Sequence, residues 1–203
     1  MNSLEKIIGF DFDGTLVDTN RIKFDAILLA SKDLRFAKTF IEQSGISREK
    51  KIFSAFSTNR AIHILDEYNK TTTNKLKDVN LISGVQQCVR ALECQGYRWG
   101  IVSGGAYNEI QHVLTSNEIY PSFVSASCND KAAELLKFNI DIFIGDSILD
   151  YEATRLAGIP FILVEEACWD VSVFHQYQIE NPLFKSVPLI ADVPTAIKTM
   201  LSQ

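Results

Sequence analysis

Short, continuously apolar runs recur along the chain and alternate with longer segments in which apolar residues have helical spacing. Several of these runs are apolar at successive positions, which is typical of strands buried on both faces of a parallel sheet. The alternation therefore predicts an α/β fold with a doubly wound, Rossmann-like parallel sheet as its core. The predicted strands are residues 7–10, 99–102, 123–125, 142–144, 161–164 and 187–190.

Helical patterns fill the spaces between these runs. Val85, Cys88, Val89 and Leu92 recur at helical spacing, and Ser83 is placed to act as the N-cap of that helix. Further helices are predicted over residues 106–114, 131–138, 151–157 and 195–201.

One stretch interrupts the alternation of strands and helices. Between about residues 18 and 81 the pattern is helical throughout, with His63 expected on an apolar face and residues 71–73 expected in a polar linker. This predicts a second, all-helical lobe over residues 17–81, inserted into an α/β core made of residues 1–16 and 82–203.

Composition excludes several classes of protein. Of the 203 residues, 46% are hydrophobic, enough for a sizeable core, and a net charge of −5 gives no general attraction to nucleic acid or to an anionic membrane. No apolar stretch approaches the roughly 20 residues that span a bilayer, and no signal peptide is recognisable. The four cysteines form no CxxC pair, so reduced thiols and a cytoplasmic location are expected. The oligomeric state is left open.

Polar residues gather where the predicted strands end. In open α/β sheets the functional groups lie at the carboxyl ends of the strands. Asp11 and Asp13 follow the first strand, and Ser103, Gly104 and Gly105 follow the second. A hydroxyl followed by glycine amides at the start of a helix suits an anion, although an ordinary strand–helix turn would have the same residues.

The third and fourth strands lead to charged residues. Lys131, near the start of a helix, could supply a positive charge to a phosphate or could be a solvated surface lysine. Asp146 and Asp150 follow the fourth strand and could serve as helix caps. Placed beside Asp11 and Asp13, however, they would repel one another strongly. A divalent cation removes that repulsion, and an all-oxygen ligand set suits Mg²⁺.

Four sequence stretches together resemble a known family. They are "DFDGTLVDT", "VSGG", the isolated Lys131 and "GDSILD", and in this order they are similar to the four motifs of the haloacid dehalogenase superfamily, in its phosphatase branch. Within that branch the chain resembles phosphoglycolate phosphatase-like and β-phosphoglucomutase-like proteins. The resemblance implies that the helical lobe over residues 17–81 is the cap found in those proteins.

The resemblance also implies roles for the residues of the four motifs. Asp11 would be the nucleophile that becomes an aspartyl-phosphate, and Asp13 would be the general acid and base. Thr15 would orient the loop at the phosphate-binding site. The phosphoryl oxygens would be held by Ser103, Gly104 and Lys131, and Mg²⁺ by Asp11, the backbone carbonyl of Asp13, Asp146 and Asp150.

Two features depart from the pattern of the family. In many relatives a proline follows the motif lysine, whereas here Ala132 does. The segment over residues 165–186 is longer than expected, so Trp169 or His175 could touch the substrate, although a packed surface excursion is the simpler interpretation. In the helical lobe, Arg48 is the candidate for contacting the distal part of a substrate.

Lys50, Lys51 and Arg60 are lesser candidates for such a contact. The ordinary alternative for all four basic residues is a solvated helix face.

The sequence thus predicts a Mg²⁺-dependent phosphatase that hydrolyses a small phosphorylated metabolite, with a sugar phosphate as one possibility, through an aspartyl-phosphate. No nucleic-acid or membrane partner is expected. Two alternatives remain open at this stage: a phosphomutase of the β-phosphoglucomutase type and a catalytically silent binding or regulatory protein. A dehalogenase is disfavoured, because that reaction needs neither a metal nor an acid at position 13.

Overall fold

The computed structural model describes residues 5–42, 46, 48–76, 79–166, 168–169, 171–174, 177 and 181–201. The chain divides into two compact units, residues 1–17 together with 80–203, and residues 18–79. The first is called the core unit below, and the second the inserted unit.

The core unit is built on a parallel sheet, which confirms the predicted fold class. Its strand order is β3-β2-β1-β4-β5-β6, so that β1 lies at the centre between β2 and β4. Phe10 pairs with Ile101 on one side and Ile144 on the other, which brings the carboxyl ends of these three strands to one edge. The strands are Ile7–Phe10 (β1), Arg98–Val102 (β2), Val124–Ser125 (β3), Ile142–Gly145 (β4), Phe161–Val164 (β5) and Phe184–Val187 (β6).

Helices follow most of the strands, and four more lie in the described part of the inserted unit. No helix in the described part of the chain has both the length and the apolar character that crossing a membrane requires. The helices are Thr19–Ser31 (α1), Leu34–Glu42 (α2), Arg48–Ala55 (α3), Thr58–Leu76 (α4), Val85–Cys94 (α5), Tyr107–Ser116 (α6), Lys131–Lys137 (α7), Ile148–Ala157 (α8) and Val193–Leu201 (α9).

Both faces of the sheet are buried, as the continuous apolar runs predict. Phe143 packs in a cluster with Leu135 of α7 and Tyr151 of α8. Ile142 and Ile144 point to the other face, because side chains alternate along a strand, and they are equally buried. Burial of each such side chain contributes about 1.5–3 kcal/mol, so the central strands are held rigidly beneath the edge where they end.

The inserted unit has a hydrophobic core of its own. On α4 the buried residues Ala61, Ile64, Tyr68 and Thr72 recur at intervals of three to four, the period of a helix packed along one face. The other members of this core come from the first three helices and include Ala26, Ile27, Ala37, Phe40 and Ile52.

Within the inserted unit, two sequence-based predictions were wrong. His63 is exposed rather than on the apolar face, because that face is set by Ala61 and Ile64. Residues 71–73 are helical rather than linker, since Thr72 is buried and its hydroxyl donates to the Tyr68 carbonyl at 2.9 Å. A polar residue whose hydroxyl bonds back to the preceding turn is compatible with a helix.

Several boundaries in the core unit differ from the predictions; α8, for example, begins at Ile148 rather than at residue 151. The last strand is Phe184–Val187 rather than 187–190, because Pro188 lacks an amide proton for the ladder and the chain then enters a short 3₁₀ turn at Ile190–Asp192. Ser83 is not the N-cap of α5. Gly84 holds that position at φ +93°, where a side chain would be strained.

The chain leaves and re-enters the core unit at adjacent points. Val17 and Leu81 form an antiparallel bridge, and the Ile82 amide donates to the Leu16 carbonyl at 2.9 Å. The inserted unit therefore begins and ends at one place on the core unit's own backbone.

Candidate active site

Asp11 and Asp13 lie on a tight loop directly after the central strand. The Asp11 amide donates to the Ile144 carbonyl at 2.8 Å, which ties the start of the loop to β4. The chain then turns back on itself at Gly14, whose φ of +82° is in the left-handed region that favours glycine. Asp11 is buried and Asp13 is partly exposed, so the two carboxylates differ in their access to water.

Thr15 joins this loop to the end of β4. Its side chain is fully buried, and its hydroxyl donates to Oδ1 of Asp146 at 3.1 Å. One carboxylate oxygen of Asp146 is thereby held in a fixed direction.

Asp150 lies in the first turn of α8, where it completes a capping box with Ser147. Its Oδ2 accepts from the Ser147 amide at 3.1 Å and from the Ser147 hydroxyl at 2.6 Å. The side chain is fully buried. Asp150 thus stabilises the start of α8 as the N3 residue of a capping box whose N-cap is Ser147, and its Oδ1 remains directed at other partners.

Three of the predicted acids come together in space. Asp11, Asp146 and Asp150 are all buried, and each offers a carboxylate oxygen such that these atoms lie within 4.8 Å of one another. Oxygen donors at this spacing fit a Mg²⁺ ion. The Asp13 carboxylate is outside this group, so its expected contribution to a metal site is limited to the backbone carbonyl.

Lys131, the first residue of α7, reaches into the same cluster. Its Nζ donates to Oδ1 of Asp11 at 3.0 Å and also to Oδ1 of Asp150, and it lies 5.4 Å from the centre of the Phe143 ring. Only 19% of its side chain is exposed. The ammonium group of Lys131 therefore lies between Asp11, which follows β1, and Asp150, which follows β4.

Burial sets the protonation behaviour of this cluster. It raises the pKa of Asp11 from 3.8 to about 7; Asp150 and Asp13 add to the rise, while Lys131 opposes it. For Lys131, burial lowers the pKa, but the carboxylates of Asp11 and Asp150 outweigh burial and the net shift is upward. Lys131 is therefore charged at neutral pH. The pKa of Asp11, in contrast, is close to neutral pH.

Ser103 and the two glycines after it form the turn at the end of β2. Ser103 is buried, and its Oγ accepts from the Gly105 amide at 3.0 Å. A Cβ at position 105 would lie 3.1 Å from Oδ2 of Asp13 and 3.2 Å from the Ser103 hydroxyl oxygen. The glycine thus lets this turn approach the loop of Asp13 closely. Gly104 is exposed at the same turn.

The basic candidates of the inserted unit make contacts within that unit. Arg48 begins α3 and pairs with Glu49 at 3.0 Å. Lys51 donates to the Phe40 carbonyl at 2.7 Å, and Arg60 donates to the Ser31 carbonyl at 3.1 Å. Lys50 is exposed on α3. Substrate contact by any of the four remains a prediction.

Part of the segment after β5 packs into the hydrophobic cluster of the core unit. Phe174 is buried in the cluster that contains Tyr151, and the ring of Tyr177 lies 4.7 Å from that of Tyr151. Trp169 is exposed. His175 lies outside the described residues.

Some features of the site were not predicted from the sequence. The capping box of Ser147 and Asp150 was one, although its S-x-x-D pattern is visible in the sequence. Gly145 was another: a Cβ there would lie 2.7 Å from side-chain atoms of Asp150. The contacts of Lys131 with Asp11 and Asp150 have no local sequence signal. Lys131 and Asp11 are more than a hundred positions apart in the sequence.

Comparisons with known proteins assign a family to the chain. The family model described as "Haloacid dehalogenase-like hydrolase" matches residues 8–164. No curated protein matches the chain.

Many solved structures match the chain. A haloacid dehalogenase-like hydrolase from Streptococcus pneumoniae is 18% identical with a TM-score of 0.72, over 97% of this chain and 98% of the other. A predicted phosphoglycolate phosphatase from Haemophilus somnus is 19% identical with a TM-score of 0.72, over 97% and 100%. CbbY from Rhodobacter sphaeroides in complex with phosphate is 13% identical with a TM-score of 0.67, over 94% and 96%. These likenesses show a shared fold over nearly the whole chain.

Proposed function

The chain belongs to the haloacid dehalogenase-like hydrolases, and we propose that it is a Mg²⁺-dependent phosphatase that hydrolyses a small phosphorylated metabolite through an aspartyl-phosphate. Above all, the buried group of Asp11, Asp146 and Asp150, with Lys131 between two of its members, supports this function. Two similar structures point in the same direction, since one is described as a predicted phosphoglycolate phosphatase and the other holds phosphate.

The donor set fits a magnesium ion. Three buried carboxylates face one ammonium group, which leaves an excess of negative charge that a divalent cation would neutralise. Asp11, Asp146, Asp150 and the backbone carbonyl of Asp13 would hold it. When bound, Mg²⁺ supplies positive charge that offsets the repulsion between a carboxylate nucleophile and a phosphate dianion.

In the first step Asp11 attacks the phosphorus atom. A bond forms between a carboxylate oxygen and phosphorus while the bond from phosphorus to the leaving oxygen breaks. Asp13, which lies two residues further on the curved loop, donates its proton to that oxygen. The ammonium group of Lys131 and the hydroxyl of Ser103 hold the phosphoryl oxygens in the orientation for attack.

In the second step Asp13 acts as a base. Its carboxylate accepts a proton from a water molecule, whose oxygen bonds to phosphorus as the bond to Asp11 breaks. Inorganic phosphate is released and Asp13 is protonated again for the next turnover. The partial exposure of Asp13 suits this exchange of protons with water better than the burial of Asp11 would.

A direct assay tests the proposal. Purified protein is incubated with p-nitrophenyl phosphate and a panel of sugar phosphates, with Mg²⁺ or with EDTA, and phosphate release is measured. We expect turnover that requires Mg²⁺ and that Asp11→Asn abolishes. Asp141→Asn is the matched control, because Asp141 pairs with Lys6 before the amino end of β4 and should leave turnover unchanged.

The outcomes separate the proposed function from its alternatives. Transfer of the phosphoryl group to a second hydroxyl of the substrate rather than to water would identify a mutase. Folded protein that binds Mg²⁺ but releases no phosphate from any substrate would overturn the proposal in favour of a binding protein.

The proposed setting is the cytoplasm. All four cysteines lie in the described part of the chain and none forms a disulfide, which suits a reducing compartment. The proposed partner is the phosphorylated metabolite itself, with no role for nucleic acid or membrane.

A further inference from the structure

Ser125 connects the two loops that carry Ser103 and Lys131. It is the last residue of β3, and its carbonyl accepts from the Ser103 amide at 2.9 Å. Its hydroxyl donates to Oε2 of Glu134 on α7 at 2.7 Å. One residue therefore touches both the strand end that presents Ser103 and the helix that presents Lys131.

Glu134 lies one helical turn after Lys131. Residues three apart share a face of a helix, so a contact that holds Glu134 also fixes the rotation of the turn from which Lys131 projects. An acid in the first turn is also favourable for the helix dipole, which Lys131 at that end opposes.

Helix α7 is short, and it is held to the core unit by the packing of Leu135 in the cluster that contains Phe143 and by a polar contact to β3. It has seven residues, and isolated helices of this length are not stable in water. At its start, Asp130 accepts from the Ala133 amide at 3.0 Å, which closes the first turn but does not connect it to the sheet. The Ser125–Glu134 bond supplies a connection to β3.

The two contacts of Lys131 require an accurate orientation of α7. The Lys131 Nζ contacts Asp11 and Asp150, which come from two different strand ends, so a small rotation of α7 would break one contact or both. A displacement of about 1 Å at a site that orients a reacting group can lower a rate about a hundredfold.

We propose that the hydrogen bond between Ser125 and Glu134 positions Lys131 for the phosphoryl group, so that Ser125 and Glu134 are positioning residues of this phosphatase. This rests on the proposed function, in which Lys131 holds phosphoryl oxygens. The hydrogen bond from Ser125 and the ammonium group of Lys137 lower the pKa of Glu134, so it remains an acceptor at neutral pH. Ser125 and Glu134 themselves touch no reacting atom.

Kinetics of four variants test the proposal. Ser125→Ala and Glu134→Ala remove the bond, Ser125→Thr keeps a hydroxyl on a strand residue, and Lys137→Gln removes the other, exposed partner of Glu134. With p-nitrophenyl phosphate and Mg²⁺, below the unfolding temperature of every variant, we expect Ser125→Ala and Glu134→Ala to lose about tenfold in kcat/KM. Ser125→Thr should restore most of the loss, and Lys137→Gln should stay within about twofold of the original protein.

Binding of inorganic phosphate in the presence of Mg²⁺, measured by calorimetry, shows whether the effect passes through Lys131. Glu134→Ala should weaken binding in the original protein and have little further effect in a Lys131→Ala background, because coupled residues are not additive. Equal losses in both backgrounds would overturn the proposal. So would variants that unfold at lower temperature while keeping kcat, KM and phosphate affinity.

A crystal structure of Glu134→Ala gives a readout that is independent of activity. We expect the Lys131 Nζ to move away from Asp11, and an unchanged contact would contradict the proposal. If the original protein hydrolyses no phosphomonoester, the proposed function fails. The crystal structure then still decides whether the Ser125–Glu134 bond positions Lys131.

Discussion

At the scale of single residues, Asp150 shows how one carboxylate serves both the fold and the site. Oδ2 accepts two hydrogen bonds from Ser147 and closes the capping box of α8, while Oδ1 accepts from Lys131. A carboxylate has about four lone-pair sites, so the two roles do not compete. The first turn of α8 therefore holds Asp150 in the orientation that brings Oδ1 to the acidic cluster.

Asp11 is expected to destabilise the metal-free protein at neutral pH. Between pH 3.8 and about 7 the folded protein keeps a proton on Asp11 that the unfolded chain has released, so the free energy of unfolding falls as the pH rises through this window. The Asp11→Asn variant has no carboxylate at this buried position and therefore avoids the cost of burying its negative charge. In EDTA at pH 8 we expect this variant to unfold at a higher temperature than the original protein by several degrees, since each kcal/mol is worth about 2–4 °C in a chain of this size.

The difference should shrink as the pH is lowered toward 5, where Asp11 is protonated in the folded protein. Calorimetry across this range measures it, with Asp141→Asn as the control that lacks the effect. With Mg²⁺ the difference in unfolding temperature between the variant and the original protein should become smaller or change sign, because Mg²⁺ binding to the folded state stabilises the original protein more strongly. A variant less stable than the original in EDTA at every pH would contradict this account of the cluster.

Two cysteines on α5 are expected to react at very different rates. Cys88 is 1% exposed and burial raises its pKa to about 12, whereas Cys94 on the same helix is exposed. Because the thiolate is the reactive form, iodoacetamide at pH 8 should modify Cys94 quickly and Cys88 only after unfolding. A time course by mass spectrometry measures both rates in one sample. Similar rates for the two thiols would show that α5 does not bury Cys88.

At the scale of elements, the sequence predicted the central strands well and the edges less well. The run at 142–144 could be assigned because its residues are apolar on both faces, a requirement that only a central strand satisfies. The edge strand β6 was misplaced, since its burial pattern is mixed and Pro188 ends it early. Residues 71–73 were misassigned because their helix is stabilised by tertiary packing rather than by propensity.

The sequence predicted those parts of the site whose position depends only on where the parallel strands end. Asp11, Asp146 and Lys131 could be placed at one edge because parallel strands finish together. Contacts that depend on the rotation of a helix, such as Ser125 with Glu134 or Lys131 with Asp150, could not be. They are fixed by how α7 and α8 pack on the sheet, and no local pattern encodes that packing.

Gly145, the last residue of β4, is expected to control the position of Asp150. A Cβ at this position would lie 2.7 Å from the Cβ, Cγ and Oδ2 atoms of Asp150, which is closer than side chains tolerate. Gly145→Ala should displace Asp150 and disturb its capping box. We expect Mg²⁺ affinity, measured by calorimetry, to fall by about 10–100-fold together with a lower unfolding temperature.

Gly9→Ala is the matched control for this substitution. Gly9 also lies in a central strand, and its added Cβ would meet the Phe143 ring at the same 2.7 Å. It should lower the unfolding temperature by overpacking while leaving Mg²⁺ affinity nearly intact. Equal losses of affinity in both variants would mean that general loosening, and not displacement of Asp150, is responsible.

At the scale of the whole molecule, the residues proposed for phosphoryl transfer all belong to one unit. Asp11, Asp13, Ser103, Lys131 and Asp146 lie in the core unit, together with the sheet that aligns them. The inserted unit, residues 18–79, has its own core and carries 12 Lys and Arg against 8 Asp and Glu, whereas the remainder carries 8 against 17. The inserted unit is thus basic in composition, whereas the remainder of the chain is acidic.

The core unit is therefore expected to fold and to bind phosphate without the inserted unit. Val17 and Leu81 are already bridged, so a short glycine–serine linker can replace residues 18–79 without opening the sheet. This shortened chain should unfold cooperatively, bind Mg²⁺ and inorganic phosphate, and turn over p-nitrophenyl phosphate slowly. If residues 18–79 contribute to the choice of substrate, the selectivity of the shortened chain among phosphorylated metabolites should be lost.

The same panel of phosphate esters is assayed with the full and the shortened chain. The comparison measures how much of the selectivity depends on residues 18–79. The shortened chain carrying Asp11→Asn is the control for contaminating phosphatases. If the core unit binds the dye 8-anilinonaphthalene-1-sulfonate and unfolds without cooperativity, its packing depends on the inserted unit. If it folds but keeps the full selectivity, discrimination lies in the core unit, and the long segment over residues 165–186 becomes the place to search for it. Loss of selectivity with retained phosphate binding would instead assign substrate choice to residues 18–79, with Arg48 as the first side chain to replace.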